Sequence, residues 1–135
     1  MEAQAPYAAI TFLTYENLAS GERFYEEILG FPLVEDQGWA KVYRICPGAY
    51  VGLVSARGKT TEQPVGSGTL LSITVDNVDA WYERLKDVSG IEILSKPALV
   101  PGIPVYSFFF KDPGGYHVEI QAFTNPVTRE RFESR

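Results

Sequence analysis

A chain of 135 residues, 45% hydrophobic and 21% charged, fits a single globular domain with its own hydrophobic core. Its net charge of -5 argues against a nucleic-acid partner, because phosphates are bound through clustered Lys and Arg, and it favours cationic over anionic small molecules. The single cysteine, Cys46, cannot form an internal disulfide, and the opening residues carry neither a basic leader nor a long apolar run, so the expectation is a cytoplasmic protein without a membrane span.

Along the chain, ITFLTYENLASGERFYEEILGFPLV from Ile10 is repeated as LLSITVDNVDAWYERLKDVSGIEIL from Leu70, an offset of 60. Thr14 then meets Thr74, Asn17 meets Asn77 and Gly30 meets Gly90. Each unit opens with a β-branched and aromatic run that predicts a strand. Asn17 and Asn77 are suited to cap the helix that follows, by accepting its free backbone N–H groups. Leu18, Tyr25, Ile28 and Leu29 form one helical stripe, repeated by Val78, Trp81, Leu85 and Val88. Gly30 and Gly90 are natural stops, since a positive φ costs glycine little.

Three further strands are predicted in each unit. They are Pro32 to Glu35, Trp39 to Ile45 and Tyr50 to Ser55, then Glu92 to Ser95, Val105 to Lys111 and Tyr116 to Phe123. The turns CPGAY and DPGGY align at an offset of 66, and the added residues fit the stretch from Pro97 to Pro104. The expected boundaries are a first unit at about 7–55, a linker at 56–69, a second unit at about 70–123 and a tail at 124–135. The linker, SARGKTTEQPVGSGT, is polar and rich in turn formers. In the tail, Asn125 as cap and Pro126 at the first helical position predict a short helix, against a frayed end as the alternative.

The only histidine, His117, lies two residues before Glu119. In a strand these side chains and Gln121 share one face, with His117 and Glu119 roughly 6.5 Å apart. Other chemistry is thin. Ser67 in VGSGT lacks the strand-turn-helix setting of a nucleophile, and GSG and PGG read as turn glycines rather than a phosphate loop.

A tandem of strand, helix and three strands, ending in DPGGYHVEI, resembles the vicinal oxygen chelate superfamily, which includes glyoxalase I, extradiol dioxygenases and bleomycin-resistance proteins. The resemblance spans roughly residues 7 to 123. It implies an α+β fold of two tandem βαβββ units whose sheets curl into a cup. Enzymatic members hold a divalent metal there, with ligands from the first and last strands of both units. The matching positions here are Ile10, Leu70, Gly52 or Leu53, and Glu119. Only Glu119 has a ligand's chemistry, so no metal and no cofactor are expected. The alternative is a bound Zn, Ni, Mn or Fe.

Strand alternation turns Leu71, Ile73 and Val75 under the helix, leaving Leu70, Ser72 and Thr74 on the opposite face; Ile10, Phe12 and Thr14 follow by the repeat. The expected ligand-binding residues are Phe12, Trp39, Tyr43, Tyr50, Ser72, Phe108, His117 and Glu119. No catalytic residue is expected unless the protein is an enzyme, in which case Glu119 is the candidate. Alternatives are an ion pair of Glu119 with a Lys or Arg, and His117 as a solvent or interface residue. The resemblance implies a homodimeric, metal-independent protein that binds or sequesters an aromatic small molecule, with cationic compounds favoured. A metal-dependent glyoxalase-like lyase or isomerase, or a dioxygenase, is the competing expectation, and a ligand-free scaffold is the third.

Overall fold

Parallel pairing of the first strand with the last, across two intervening antiparallel strands, gives each half of the chain a four-strand order that local hairpins alone cannot produce. The computed structural model describes residues 3–56 and 68–133, so Ser67 and most of the expected linker lie outside the described residues. The chain divides into two units, Met1–Val65 and Gly66–Arg135. Among the described residues no helix is long and apolar enough to cross a membrane.

Unit 1 contains β1 (Ala9–Tyr15), α1 (Leu18–Glu22), a π-helical continuation (Arg23–Ile28), β2 (Leu33–Asp36), β3 (Ala40–Cys46) and β4 (Ala49–Ser55). The sheet order is β1-β4-β3-β2, with β1 parallel to β4 and the other pairs antiparallel. Asn17 caps α1 as expected, its side chain accepting from the Ser20 N–H. The π turn departs from the expected stripe. Leu29 N–H reaches back five residues to the Phe24 carbonyl at 2.9 Å, and the wider turn buries Phe24 and Tyr25 side by side with rings 5.0 Å apart. Leu18 and Ile28 are left half-buried. Gly21 of α1 lies against Leu53 and Tyr15, which identifies the helix-covered face of the sheet. Leu13, Tyr43, Val51 and Leu53 fill that face, the aliphatic ones each worth about 1.5–3 kcal/mol if fully withdrawn from water.

Unit 2 contains β5 (Leu70–Thr74), α2 (Val78–Leu85), β6 (Glu92–Ile93), β7 (Ala98–Leu99), β8 (Val105–Lys111), β9 (His117–Phe123) and α3 (Pro126–Phe132). Its sheet runs β5-β9-β8-β6, the same order as unit 1, with β7 also paired to β8. β7 is an additional strand inside the Pro97 to Pro104 stretch, where no element is predicted from the sequence. Asn77 caps α2 and Asn125 caps α3 through their side-chain oxygens. The tail is helical, and Phe132 stacks on Phe123 with centroids 4.8 Å apart. On the α2 side lie Leu71, Ile73, Val118, Ile120, Phe108 and Phe110.

The registers correct the alignment of the turns. Ile10 pairs with Tyr50 and Phe12 with Gly52, whereas Leu70 pairs with His117 and Ser72 with Glu119. The last strands therefore correspond at an offset of 67, and Gly48 and Gly115, which match at that offset, both have φ +85. CPGAY and DPGGY are similar in letters yet shifted by one position in space. A bulge between Arg44 and Cys46 in β3 absorbs that shift. Gly52, not Leu53, is thus the counterpart of Glu119.

Asp112 explains why the second turn holds its shape. Its buried carboxylate accepts from the N–H groups of Gly114 and Tyr116, both at 2.9 Å. Asp112→Ala leaves both donors without that acceptor and should cost about 1–3 kcal/mol of stability, seen as a lower midpoint in thermal or urea denaturation. An unchanged midpoint would show that water replaces the carboxylate without penalty.

Candidate functional site

Pairing parity assigns every strand residue to the helix-covered face or to the open face of its sheet. In unit 1 the open face presents Ile10 and Phe12 from β1, Tyr50 and Gly52 from β4, and Val42 from β3. The Phe12 ring lies close against Gly52. A Cβ built there would come within 2.4 Å of the ring carbons, so only glycine admits the ring at that place. Around these residues is a groove of about 790 Å³, walled on one side by Gln4 to Ala8 and on the other by Val34, Glu35 and Gln37. That volume is in the range of small-molecule sites, and its floor is apolar and aromatic.

In unit 2 the sheet face away from α2 carries different residues. Leu70, Ser72 and Thr74 of β5 stand beside His117, Glu119 and Gln121 of β9, and Ser107 and Phe109 of β8 follow. Glu119 is only 9% exposed, and its Oε1 accepts from the Ser72 hydroxyl at 2.8 Å. Gln121 donates to the Thr74 hydroxyl at 3.0 Å. The buried Ser107 hydroxyl has no hydrogen-bond partner. The face is an array of hydrogen-bonding groups around one buried carboxylate. The ion pair considered for Glu119 is absent among the described residues; a hydroxyl partners it instead.

The expected site residues separate accordingly. Phe12 and Tyr50 line the unit 1 groove, while Ser72, Glu119 and the exposed His117 share the open face of unit 2. Tyr43 and Phe108 are corrections. Tyr43 pairs with Val51 on the helix-covered side, and the Phe108 ring packs edge-on against Tyr82 of α2 at 5.2 Å. Parity gives the Glu119 face to Phe109 instead. Trp39 is 52% exposed in the turn before β3 and does not line this groove. The sequence reading missed Tyr7, Val34, Glu35 and Gln37. Val34 and Glu35 lie within the predicted strand Pro32 to Glu35, and Tyr7 and Gln37 lie outside the predicted strands; none carries a signal that many non-site residues do not share.

A family model, the Glyoxalase/Bleomycin resistance protein/Dioxygenase superfamily, matches residues 8–120. The chain belongs to that superfamily. A glyoxalase/bleomycin resistance protein/dioxygenase from Nocardioides is similar at 25% identity, covering 93% of this chain and 88% of the other, with a TM-score of 0.71. A protein from Agrobacterium tumefaciens solved in solution is 27% identical over 88% of this chain and 98% of its own, with a TM-score of 0.72. A lactoylglutathione lyase from the same organism shares the fold at 19% identity and a TM-score of 0.68, covering 88% and 95% of the two chains. Comparison with curated proteins found no match.

The family resemblance implies a metal, and the residues at its positions do not fit one. Ile10, Gly52 and Leu70 offer no electron-pair donor in their side chains, and Glu119 Oε1 is engaged by Ser72. Among the described residues no three His, Cys, Asp or Glu side chains are grouped to hold an ion.

Tyr43 adds an electrostatic property of the unit 1 core. Its buried hydroxyl makes no hydrogen bond of good geometry, and the Glu26 carboxylate is the acceptor near it. Burial pushes the phenol pKa well above its ordinary 10.0, and the carboxylates of Glu26 and Glu22 push the same way. The phenol is neutral when protonated. Its contribution is therefore fully present below about pH 10 and is lost as pH rises above that value towards the folded-state pKa. Tyr43→Phe should leave stability equal or higher at neutral pH, and it should lose stability less steeply than the parent above about pH 10 in urea denaturation. Parallel stability profiles would contradict the upward shift.

Proposed function

We propose that the protein binds an aromatic small molecule, preferentially a cationic one, and sequesters it without chemical change and without a metal. The observation that carries this reading is the chemistry at Ile10, Gly52 and Leu70, where hydrocarbon or a bare backbone stands at positions that would need metal donors. The open faces support it further. Exposed aromatic and aliphatic surface on unit 1 suits a planar ring system, and the carboxylate of Glu119 on unit 2 suits a cation or a hydrogen-bond donor. A homodimer in the cytoplasm belongs to the same reading.

Stacking contacts contribute about 0.5–1.5 kcal/mol each, so several are required before affinity becomes micromolar at about 8 kcal/mol. Catalysis by Glu119 as a base would need help in polarising the substrate carbonyl, which a metal supplies in glyoxalase-like chemistry. The first test is elemental analysis of the purified protein, with an aromatic cation titrated calorimetrically before and after chelator. Binding that survives chelation, with far less than one Zn, Ni, Mn or Fe per chain, is the expected result. A stoichiometric metal whose removal abolishes binding would overturn the proposal in favour of a lyase, isomerase or dioxygenase.

Within this reading, Glu119→Gln removes a negative charge beside the Ser72 hydroxyl while preserving shape. Affinity for a cation that touches unit 2 should fall about tenfold, equivalent to about 1.4 kcal/mol, with the melting transition retained. Unchanged affinity would remove Glu119 from the ligand contact.

A further inference from the structure

Resting on the ligand-binding reading above, we propose that the unit 1 groove is by itself a site for planar aromatic cations, with Glu35 as the group that recognises charge and Phe12 as the stacking platform. The placement of Glu35 follows from a bulge. Leu33 pairs with Tyr43, which in a regular ladder would set Glu35 opposite Lys41 on the helix-covered side. Instead the register slips between Leu33 and Glu35, so that Glu35 pairs with Val42 and Asp36 with Lys41. The extra residue turns Glu35 onto the face of Val42, Gly52 and Phe12, where it lines the groove.

The same slip leaves Glu35 without its nearest cation. Lys41 lies on the helix side, bound to Glu22 at 2.6 Å and to Asp36 at 3.6 Å. Among the described residues no Lys or Arg forms an ion pair with Glu35; one of its oxygens accepts only the Asp36 N–H at 3.2 Å. A carboxylate at the edge of an apolar and aromatic floor is complementary to a flat ring that carries positive charge. The ring stacks while the charge meets the carboxylate. Tyr7 stands 93% exposed on the opposite wall, available to cover the second ring face.

The geometry of Gly52 supplies an independent control. An alanine methyl there would stand within 2.4 Å of the Phe12 ring, so the ring must swing away from β4 and into the groove. Glu35 therefore governs charge preference, and Gly52 governs space.

The test is fluorescence titration of the full chain with two probes of similar shape: an aminoacridine, cationic at neutral pH, and acridine, neutral there. The parent should bind the cation about tenfold more tightly, as one charge-assisted contact predicts. Glu35→Gln should erase that preference while leaving acridine affinity unchanged. Gly52→Ala should weaken both probes at least tenfold with a retained cooperative melt, and if it fails to fold, Tyr7→Ala replaces it with loss of affinity for both. A preference that survives Glu35→Gln overturns the proposal. If Glu119→Gln erases it instead, the charge contact belongs to unit 2, and the general binding reading stands while this one falls. Failure of both probes to bind, or their displacement as the chain self-associates, would remove the groove as a small-molecule site.

Discussion

Pairing of the first strand with the last, parallel in both units, is the constraint on which the remaining structure depends. It holds β1 against β4 and β5 against β9 residue for residue, and because side chains alternate, that register decides which residues of these four strands share a face. A slip of β1 by one position against β4 would carry Leu13 and Tyr15 to the open side and Phe12 and Ile10 beneath the helix. Burial of Leu13 and Tyr15 opposes that alternative, since both would be exposed together, at about 1.5–3 kcal/mol for the leucine.

Given that constraint, the two units share a topology and differ in the chemistry of their open faces. Unit 1 presents Ile10, Phe12, Val42 and Tyr50 around a glycine, and unit 2 presents Ser72, Thr74, Ser107, Glu119 and Gln121. Residues beneath the helices are held to apolar types by packing, so Leu13 has its counterpart in Ile73 and Leu53 in Ile120 at the structural offsets. Open-face residues carry no such obligation. They can diverge into an aromatic floor in one unit and a hydrogen-bonding array in the other without disturbing the sheet, which is how one scaffold accommodates unrelated activities.

The superfamily fold also tolerates side chains without donor atoms at these open-face positions. Ile10 and Leu70 sit in strands whose backbone pairing is indifferent to the open-face side chain, and Gly52 allows the Phe12 ring to lie on the β4 backbone. Ser72 donates to the Glu119 carboxylate, which offsets part of the cost of burying charge.

Much of this was legible in the residues alone. The repeat, the helix caps at Asn17, Asn77 and Asn125 and the face assignments of Ile10, Phe12, Leu70 and Ser72 follow from local capping chemistry and the two-residue period of a strand. Middle-strand facings were not legible: Tyr43 and Phe108 went beneath the helices, and Trp39 stayed outside the groove, because aromatic residues suit either face and nothing in one strand fixes its partner's register. The bulge that turns Glu35 into the groove, the π turn that buries Phe24 with Tyr25, and the equivalence of Gly52 with Glu119 were decided by tertiary pairing. Local sequence determines periodicity and caps. Only strands laid side by side determine which residue stands opposite which, and a single inserted residue reverses the outcome.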